Sequence, residues 1–163
     1  MAQPSSSLSP DLGERYREYF PRVFAYIYGR VHDTRATEDL TSETFSRTLA
    51  GPYPLLDEET FAVRLFATAR RLLVSHLRAQ SRTGDSQPQD DVEDAVLKRA
   101  DLARILGHLH RFPGQEQDII ALKFDAELTN TQIARVMGLS GGKVRTILYR
   151  TLRRLRKALE REA

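Results

Sequence analysis

The stretch Asn130–Tyr149, NTQIARVMGLSGGKVRTILY, indicates two short helices that meet at a tight turn. Such helices cross closely, so the first needs a small residue and the turn needs a glycine with positive φ. Ala134 and Gly138 meet these requirements. The predicted shared core consists of Ile133, Met137, Leu139, Val144 and Ile147. The stretch therefore predicts a helix-turn-helix, with an ordinary helical hairpin as the alternative.

The second of these helices is expected to start at Ser140, whose hydroxyl can cap free backbone amides. The first turn of such a helix usually meets base edges in the major groove, and basic side chains meet phosphates. Base or groove-edge contact is predicted for Lys143, Arg145 and Thr146. The later arginines are expected at phosphates, with a solvated helix face as the alternative. The predicted DNA-binding residues are Ser140, Lys143, Arg145, Thr146, Tyr149, Arg150, Arg153 and Arg154.

Gly141 and Gly142 stand in the first turn of the same helix. Two glycines there cost about 1 kcal/mol each relative to alanine. Close approach of the backbone to DNA would explain them, and so would tolerance at a frayed helix end.

The amino-acid composition excludes several kinds of protein. The chain has 163 residues, of which 40% are hydrophobic and 29% charged, as in ordinary globular domains. It has no cysteine, which excludes disulfides and thiolate metal sites and fits a reducing cytoplasm. No apolar run approaches the roughly 20 residues that a membrane-spanning helix needs, and the first residues do not resemble a signal peptide. A cytoplasmic protein without membrane insertion is expected.

Charge is distributed in blocks, although the formal net charge is only +3. Residues 129–163 hold nine Lys or Arg against two acids, and residues 61–83 hold five Arg and no acid. Residues 83–94 hold five acids and no base, and residues 33–59 hold seven acids against two Arg. This pattern predicts two surfaces for nucleic acid and one for a basic partner.

Helical periodicity runs through the chain, and alternating strand patterns are absent. The sequence predicts an all-α fold of two small helical domains joined by a flexible acidic linker, with the helix-turn-helix in the C-terminal domain. Pro21 is expected to kink or break the first helix, and Thr34 or Thr37 to cap the next. A long helix is expected from Glu58 to Ala79. The predicted boundaries are a disordered tail at 1–11, domains at 12–82 and 95–163, and a linker at 83–94.

Motifs of catalysis are absent from the sequence. There is no glycine-rich phosphate loop, H-x-x-x-H pair or nucleophile elbow. His108 and His110 are two residues apart, so on a helix they face different ways and make a poor metal pair. The chain is therefore expected not to be an enzyme, and to need no cofactor or metal.

Three stretches together resemble the bacterial sigma factors of the extracytoplasmic-function class. This class carries only the second and fourth conserved regions of the sigma-70 family. ATEDLTSETFSRTL resembles the family segment D-A-E-D-L-x-Q-E-x-F-x-R. RLFATARRLLVSHLR resembles its promoter-melting helix, W-L-x-x-I-A-R-N-x-x-x-D-x-x-R, and FPGQEQDIIALKF with the helix-turn-helix resembles its fourth region. The resemblance covers about residues 12–159.

The resemblance implies two sites in the N-terminal half. The first stretch would dock on the clamp helices of the polymerase β′ subunit, and without the resemblance its acids would be interpreted as a solvated face. The docking residues would be Glu38, Asp39, Leu40, Glu43, Phe45 and Arg47. The second stretch and the loop before it would contact the downstream promoter element and the melted strand. These residues would be Tyr53, Arg64, Arg70, Arg71, Ser75 and Arg78, with local packing as the alternative for Tyr53.

Several positions depart from the family pattern. The usual Trp is Arg64, the usual Asn is Arg71 and the usual Asp is Ser75. In the fourth region, Gln117 replaces the usual Arg of the first helix, and Ile147 replaces the middle Arg of V-x-x-R-x-x-R. The first three substitutions bear on contacts with the downstream element.

The function implied by the resemblance is that of a sigma factor, which binds core RNA polymerase, directs it to a promoter and helps open the DNA. The implied partners are the clamp helices of β′, the flap of the β subunit and promoter DNA. Many relatives also have an anti-sigma factor, clamped between the two domains. The alternative function is a stand-alone helix-turn-helix repressor or activator, which would dimerise on a palindromic site.

Overall fold

The structure, a computed structural model, describes residues 12–51, 57–83 and 100–162. Every regular element in these ranges is an α-helix, which confirms the predicted all-α class. The chain divides into two compact units, Met1–Pro88 and Gln89–Ala163. The predicted tail at 1–11, and the predicted linker apart from Thr83, lie outside the described residues. The exact domain boundaries therefore stay predictions.

The first unit contains α1 (Leu12–Val31), α2 (Thr34–Leu49) and α3 (Glu58–Thr83). Edge-to-face ring contacts join α1 to α3, with centroid separations of 5.6 Å for Tyr19–Phe61 and 6.1 Å for Tyr26–Phe66. Such pairs stabilise a core by about 0.5–1.5 kcal/mol beyond the area that they bury. The main buried apolar residues are Tyr19, Val23, Tyr26, Ile27, Phe45, Phe61, Leu65, Phe66, Ala69 and Leu73.

Two further contacts hold the start of α3 against α1. The hydroxyl of Tyr19 donates to Glu58 Oε1 at 3.2 Å, and the guanidinium of Arg15 lies 4.7 Å from the ring centroid of Phe61. Burial, followed by the charge of Glu58, raises the pKa of Tyr19 to about 12. The phenol therefore stays a hydrogen-bond donor at neutral pH. These contacts fix where α3 begins along α1.

The sequence predicts a kink or a break at Pro21; α1 is not broken there, because the helix continues through Pro21 to Val31. Proline removes one backbone hydrogen bond from a helix interior. Here Pro21 is exposed, while Tyr19 and Val23 on either side are buried in the core. Packing of this buried face outweighs the lost hydrogen bond.

The expected cap of α2 was also wrong. Asp33 is the N-cap, and its Oδ1 accepts a hydrogen bond from the amide of Ala36 at 3.1 Å. Thr37, one of the predicted caps, is fully buried in the helix. The cap lies earlier than predicted because Asp is as good a cap as Thr and the apolar pattern does not separate them. Helix α3 extends past its predicted end to Thr83, a residue predicted to lie in the linker.

The second unit contains α4 (Ala100–Leu109), α5 (Gly114–Phe124), α6 (Asn130–Met137) and α7 (Gly141–Arg161). Helices α6 and α7 form the predicted helix-turn-helix. Gly138 has φ 70° and ψ 33°, as the turn requires, and its amide donates to the carbonyl of Ala134. Of the predicted shared core, Ile133 and Val144 are fully buried, while Met137, Leu139 and Ile147 are half-buried.

Both helices of this motif start at a capped residue. Thr129 and Gln132 form a capping box before α6, in which Thr129 Oγ1 accepts from the Gln132 amide at 3.2 Å. Ser140 Oγ accepts from the Lys143 amide at 3.1 Å, which confirms the predicted cap of α7. These caps fix the two helix starts by local bonds, so the turn between them is fixed as well.

Glu162, just after α7, contacts two side chains of α4. This carboxylate accepts from His108 Nε2 at 3.0 Å and from Arg104 Nε at 3.3 Å. The hydrogen bond from His108, more than the contact with Arg104, holds the pKa of Glu162 below its usual range. The contacts join α4 to the C-terminal end of α7.

Candidate nucleic-acid interfaces

A groove of about 830 Å³ lies along α7 and the start of α5; we name it the α7 groove. Its lining has five basic side chains and one acid, which makes it suited to a polyanion. It brings together six of the predicted DNA-binding residues and leaves out Ser140 and Lys143, which lie at the helix start. The lining residues are Glu116, Arg145, Thr146, Tyr149, Arg150, Arg153, Arg154 and Lys157.

At the start of α7, short polar side chains lie beside the exposed Lys143. The hydroxyl of Ser140 is used in capping, and Thr146 Oγ1 donates to the carbonyl of Gly142 at 3.0 Å. Both oxygens can still accept a hydrogen bond from outside. A Cβ added to Gly141 or Gly142 would meet no atom within 4 Å, and neither glycine has a positive φ. Neither packing nor backbone conformation in the described residues therefore requires glycine there.

Tyr149 projects from the α7 groove with 65% of its surface exposed. Leu152, on the next turn, is 39% exposed. A large exposed aromatic side chain among arginines can stack on a sugar or a base and donate its hydroxyl. Tyr149 therefore adds an apolar contact to an otherwise charged surface.

Arg154 differs from the other cations of the α7 groove because it is bound within the protein. One guanidinium nitrogen, Nη1, donates to both carboxylate oxygens of Glu116 at 3.2 Å. Its Cζ also lies 4.9 Å from the ring centroid of Phe112. Glu116 could not be identified from the sequence, because it lies 38 residues from Arg154. Lys157, also missed, could have been found from its spacing to Arg153 and Arg154 on the same helix.

A second groove, of about 430 Å³, lies along α3; we name it the α3 groove. Its residues recur at three- and four-residue spacing, so they share one face of the helix. Four of the predicted residues, Arg70, Arg71, Ser75 and Arg78, lie together here. Arg64 is exposed but does not line this groove, and Tyr53 lies outside the described residues. The full lining is Arg70, Arg71, Val74, Ser75, Arg78, Ala79 and Arg82.

The acidic surface of α2 is smaller than the sequence suggested. Glu38 and Asp39 are exposed, while Glu43 accepts from Arg47 Nε at 2.7 Å and is partly neutralised. Leu40 is half-buried. Phe45 is 3% exposed and packs against two rings of α1, so it supports the helix from inside and does not reach its surface.

The departure at Gln117 has a local explanation. Its amide nitrogen donates to the carbonyls of Phe112 at 2.8 Å and His110 at 3.2 Å. Gln117 therefore holds the turn before α5, and it also helps to fix Phe112 beneath Arg154.

No group of His, Asp and Glu suited to a metal occurs among residues 12–51, 57–83 and 100–162. Within the same ranges, no helix is both long enough and apolar enough to cross a membrane.

The geometry defines a helix-turn-helix protein with two basic grooves, and comparison with known proteins places it more narrowly. Residues 108–157 match the family Sigma-70, region 4. The ECF RNA polymerase sigma factor BldN of Streptomyces coelicolor is 34% identical over 162 residues, covering 93% of this chain and 61% of the relative. The RNA polymerase sigma factor YlaC of Bacillus subtilis is 25% identical over 152 residues, covering 87% of this chain and 88% of the relative.

A solved structure shares the fold. The sigma factor RpoE of Bartonella quintana, crystallised with the anti-sigma factor NepR, superposes with a TM-score of 0.70. The match covers 92% of this chain and 97% of that one, at 17% identity. Residues 108–157 therefore belong to region 4 of the sigma-70 family, and the chain as a whole is similar to sigma factors of the extracytoplasmic-function class. It spans about three fifths of the length of BldN.

Proposed function

We propose that the chain is a sigma factor that binds core RNA polymerase, directs it to promoters and helps open the promoter DNA. It would act without catalysing a reaction, in the cytoplasm where polymerase and DNA meet. The observation that carries the proposal is the presence of two basic grooves, one in each compact unit of a chain that is similar to sigma factors. A protein that must hold two promoter elements needs two such surfaces.

The α7 groove would bind the upstream promoter element. Lys143 and Arg145 lie at the exposed start of α7, where a recognition helix meets base edges. Arg150, Arg153 and Lys157 follow along the same helix and would hold phosphates. The division between base contacts at the helix start and phosphate contacts further along gives the helix its register on the duplex.

The α3 groove would hold the downstream element and the separated strand. Its four arginines suit a phosphate backbone, and no acid lines the groove. Ser75 and Val74 add a small, less charged surface between them, on which a nucleotide could rest. Base capture by Tyr53 remains part of the proposal for this unit.

Polymerase docking would use the exposed acids of α2. Glu38 and Asp39 would meet a basic surface on the clamp helices of β′, because opposite charge speeds and orients association. The second unit would meet the flap of the β subunit. An anti-sigma factor is a further partner of this proposal, since the RpoE of the same fold was crystallised with NepR.

Binding to purified core polymerase tests the docking assignment. The variant Glu38→Lys with Asp39→Lys should lower the affinity of the full chain for core by at least about 10-fold, because two charge pairs are lost and two like-charge contacts are made. Fluorescence anisotropy of labelled chain, titrated with core, measures this. A matched control is Glu14→Lys with Glu59→Lys, which makes the same charge change on exposed acids of α1 and α3. Equal affinities for the two double variants would refute docking through α2.

A further inference from the structure

The α7 groove contains an acid where a DNA-binding surface would be expected to have none. Glu116 is the one acid among its lining residues, and its side chain is only 20% exposed. It comes from α5, whereas the basic lining comes from α7. An acid at this place repels phosphate, so it has an effect on DNA binding whatever else it does.

Among the cations that line the α7 groove, Glu116 forms an ion pair with Arg154 alone. It holds Arg154, whereas Arg145, Arg150, Arg153 and Lys157 have no acidic partner within the described ranges. The side chain of Arg154 remains 55% exposed, so solvent screens the ion pair and its strength is modest. A phosphate oxygen offers Arg154 the same kind of charge-assisted bond as the carboxylate does. The two acceptors can therefore exchange on one guanidinium.

We propose that Glu116 sets the DNA affinity of the α7 groove by competing with phosphate for Arg154. The inference rests on the proposed function, and it concerns how many cations the groove offers to DNA. While Arg154 is paired, the pair has no net charge and binding at that point releases no counterion. Four cations then act on the duplex in place of five. Affinity for random DNA is kept low, so that stable binding depends on the other contacts of the polymerase complex.

Salt dependence distinguishes this competition from a purely structural ion pair. The probe is a fluorescein-labelled 20-base-pair duplex of mixed sequence, titrated with the full chain from about 20 to 200 mM KCl. The variant Glu116→Gln keeps a hydrogen-bond acceptor for Arg154 but removes the negative charge. It should steepen the slope of log affinity against log salt by about 0.9, the value for one more phosphate contact. At 50 mM salt the affinity should rise about 10-fold.

Four further variants make the result specific. Glu160→Gln removes an equal charge from the same unit, but Glu160 pairs with Arg156, which does not line the groove. This control should change the slope by much less than Glu116→Gln. Adding Arg154→Gln to Glu116→Gln should restore the wild-type slope, whereas Arg154→Gln alone should change it less than Arg153→Gln does. Circular dichroism spectra and melting curves show whether each variant is folded.

Each outcome separates this inference from the proposed function. A wild-type chain that binds the duplex with normal salt dependence, together with equal slopes for Glu116→Gln and Glu160→Gln, would overturn the competition and leave the sigma factor proposal standing. A lower affinity in Glu116→Gln, at unchanged folding, would also overturn it, because Glu116 would then be holding Arg154 in place for DNA. If the wild-type chain shows no salt-dependent binding, the assignment of the α7 groove to DNA fails, and the competition fails with it.

Discussion

Under the proposed function, the two basic grooves would present a helix to DNA in different ways. Helix α7 starts at the cap Ser140 beside a glycine turn, ahead of the α7 groove, so its first turn can enter a major groove. The α3 groove lies along the side of a long helix, between Arg70 and Arg82, well after the start of α3 at Glu58. The first arrangement suits recognition of bases in a duplex, and the second suits holding a backbone. Under the proposal, surfaces of similar charge would therefore serve promoter selection in one unit and strand handling in the other.

The largest effect is expected from charge reversal in the α3 groove. Arg71→Glu with Arg78→Glu should lower open-complex formation by about 100-fold or more, because two phosphate contacts become repulsive. Binding to core should be unchanged. Permanganate footprinting of a promoter in the presence of core measures strand opening. The control Arg35→Glu reverses an exposed charge on α2. If strand opening is unchanged in the α3 double variant, the α3 groove does not contact promoter DNA.

Removing the two basic side chains at the start of α7 should change which bases are preferred, and it should lower the affinity for the promoter by a smaller factor than the charge reversal above. Lys143→Gln with Arg145→Gln is expected to weaken promoter binding by about 10-fold and to change base preference in the upstream element. Arg153→Gln should weaken binding to all sequences alike, because a phosphate contact carries no base information. Selection from a randomised upstream element, with holoenzyme, compares the two variants. Identical base preferences would contradict the division along α7.

The turn between α6 and α7 should be sensitive to a single methyl group. Gly138→Ala is expected to lower the free energy of unfolding by about 1 kcal/mol, because φ 70° is unfavourable for an L side chain. Gly107→Ala is the matched control, since Gly107 lies inside α4 with φ outside the positive range and open space at its Cβ. It should raise the free energy of unfolding by roughly 0.5–1 kcal/mol. Urea denaturation measures both changes in the free energy of unfolding. Amide hydrogen exchange then shows whether they arise in the second unit.

The smallest effect on stability concerns the first turn of α7. Gly141→Ala should raise the free energy of unfolding, because alanine is the better helix former and its Cβ meets nothing. The gain should be about 0.5 kcal/mol, less than the roughly 1 kcal/mol of a helix interior, because Gly141 lies at the end of the helix. We expect promoter affinity to fall nonetheless, since the backbone there would have to approach DNA closely. Holoenzyme binding to a promoter duplex is the measurement. An unchanged affinity would favour the other explanation, tolerance of glycine at a helix end.

Local determinants explain what could be predicted from the sequence. The small residue Ala134, the turn glycine Gly138 and the cap Ser140 stand within one short stretch, and each fills its predicted place. Likewise, the arginines of α3 repeat at helical spacing, so their common face follows from the sequence.

Two kinds of feature could not be predicted from the sequence: contacts between distant residues, and backbone strain that is offset by local contacts. The pairing of Glu116 with Arg154 depends on how α5 packs against α7, to which no local pattern points. The turn between α1 and α2 places His32 at φ 54°, a positive φ like that of Gly138 but without a glycine to signal it. The ring of His32 lies 6.0 Å from that of Tyr28, and its amide donates to the Tyr28 carbonyl at 2.9 Å, contacts that offset the strain.

In vitro transcription tests the sigma factor proposal most directly. The full chain and purified core RNA polymerase are incubated with a pool of genomic duplex fragments, and the 5′ ends of the transcripts are sequenced. We predict transcripts that start downstream of a shared pair of promoter elements and that require both the chain and core. A chain that binds a palindromic site by itself, and yields no core-dependent transcripts, would contradict the proposal and favour a stand-alone regulator.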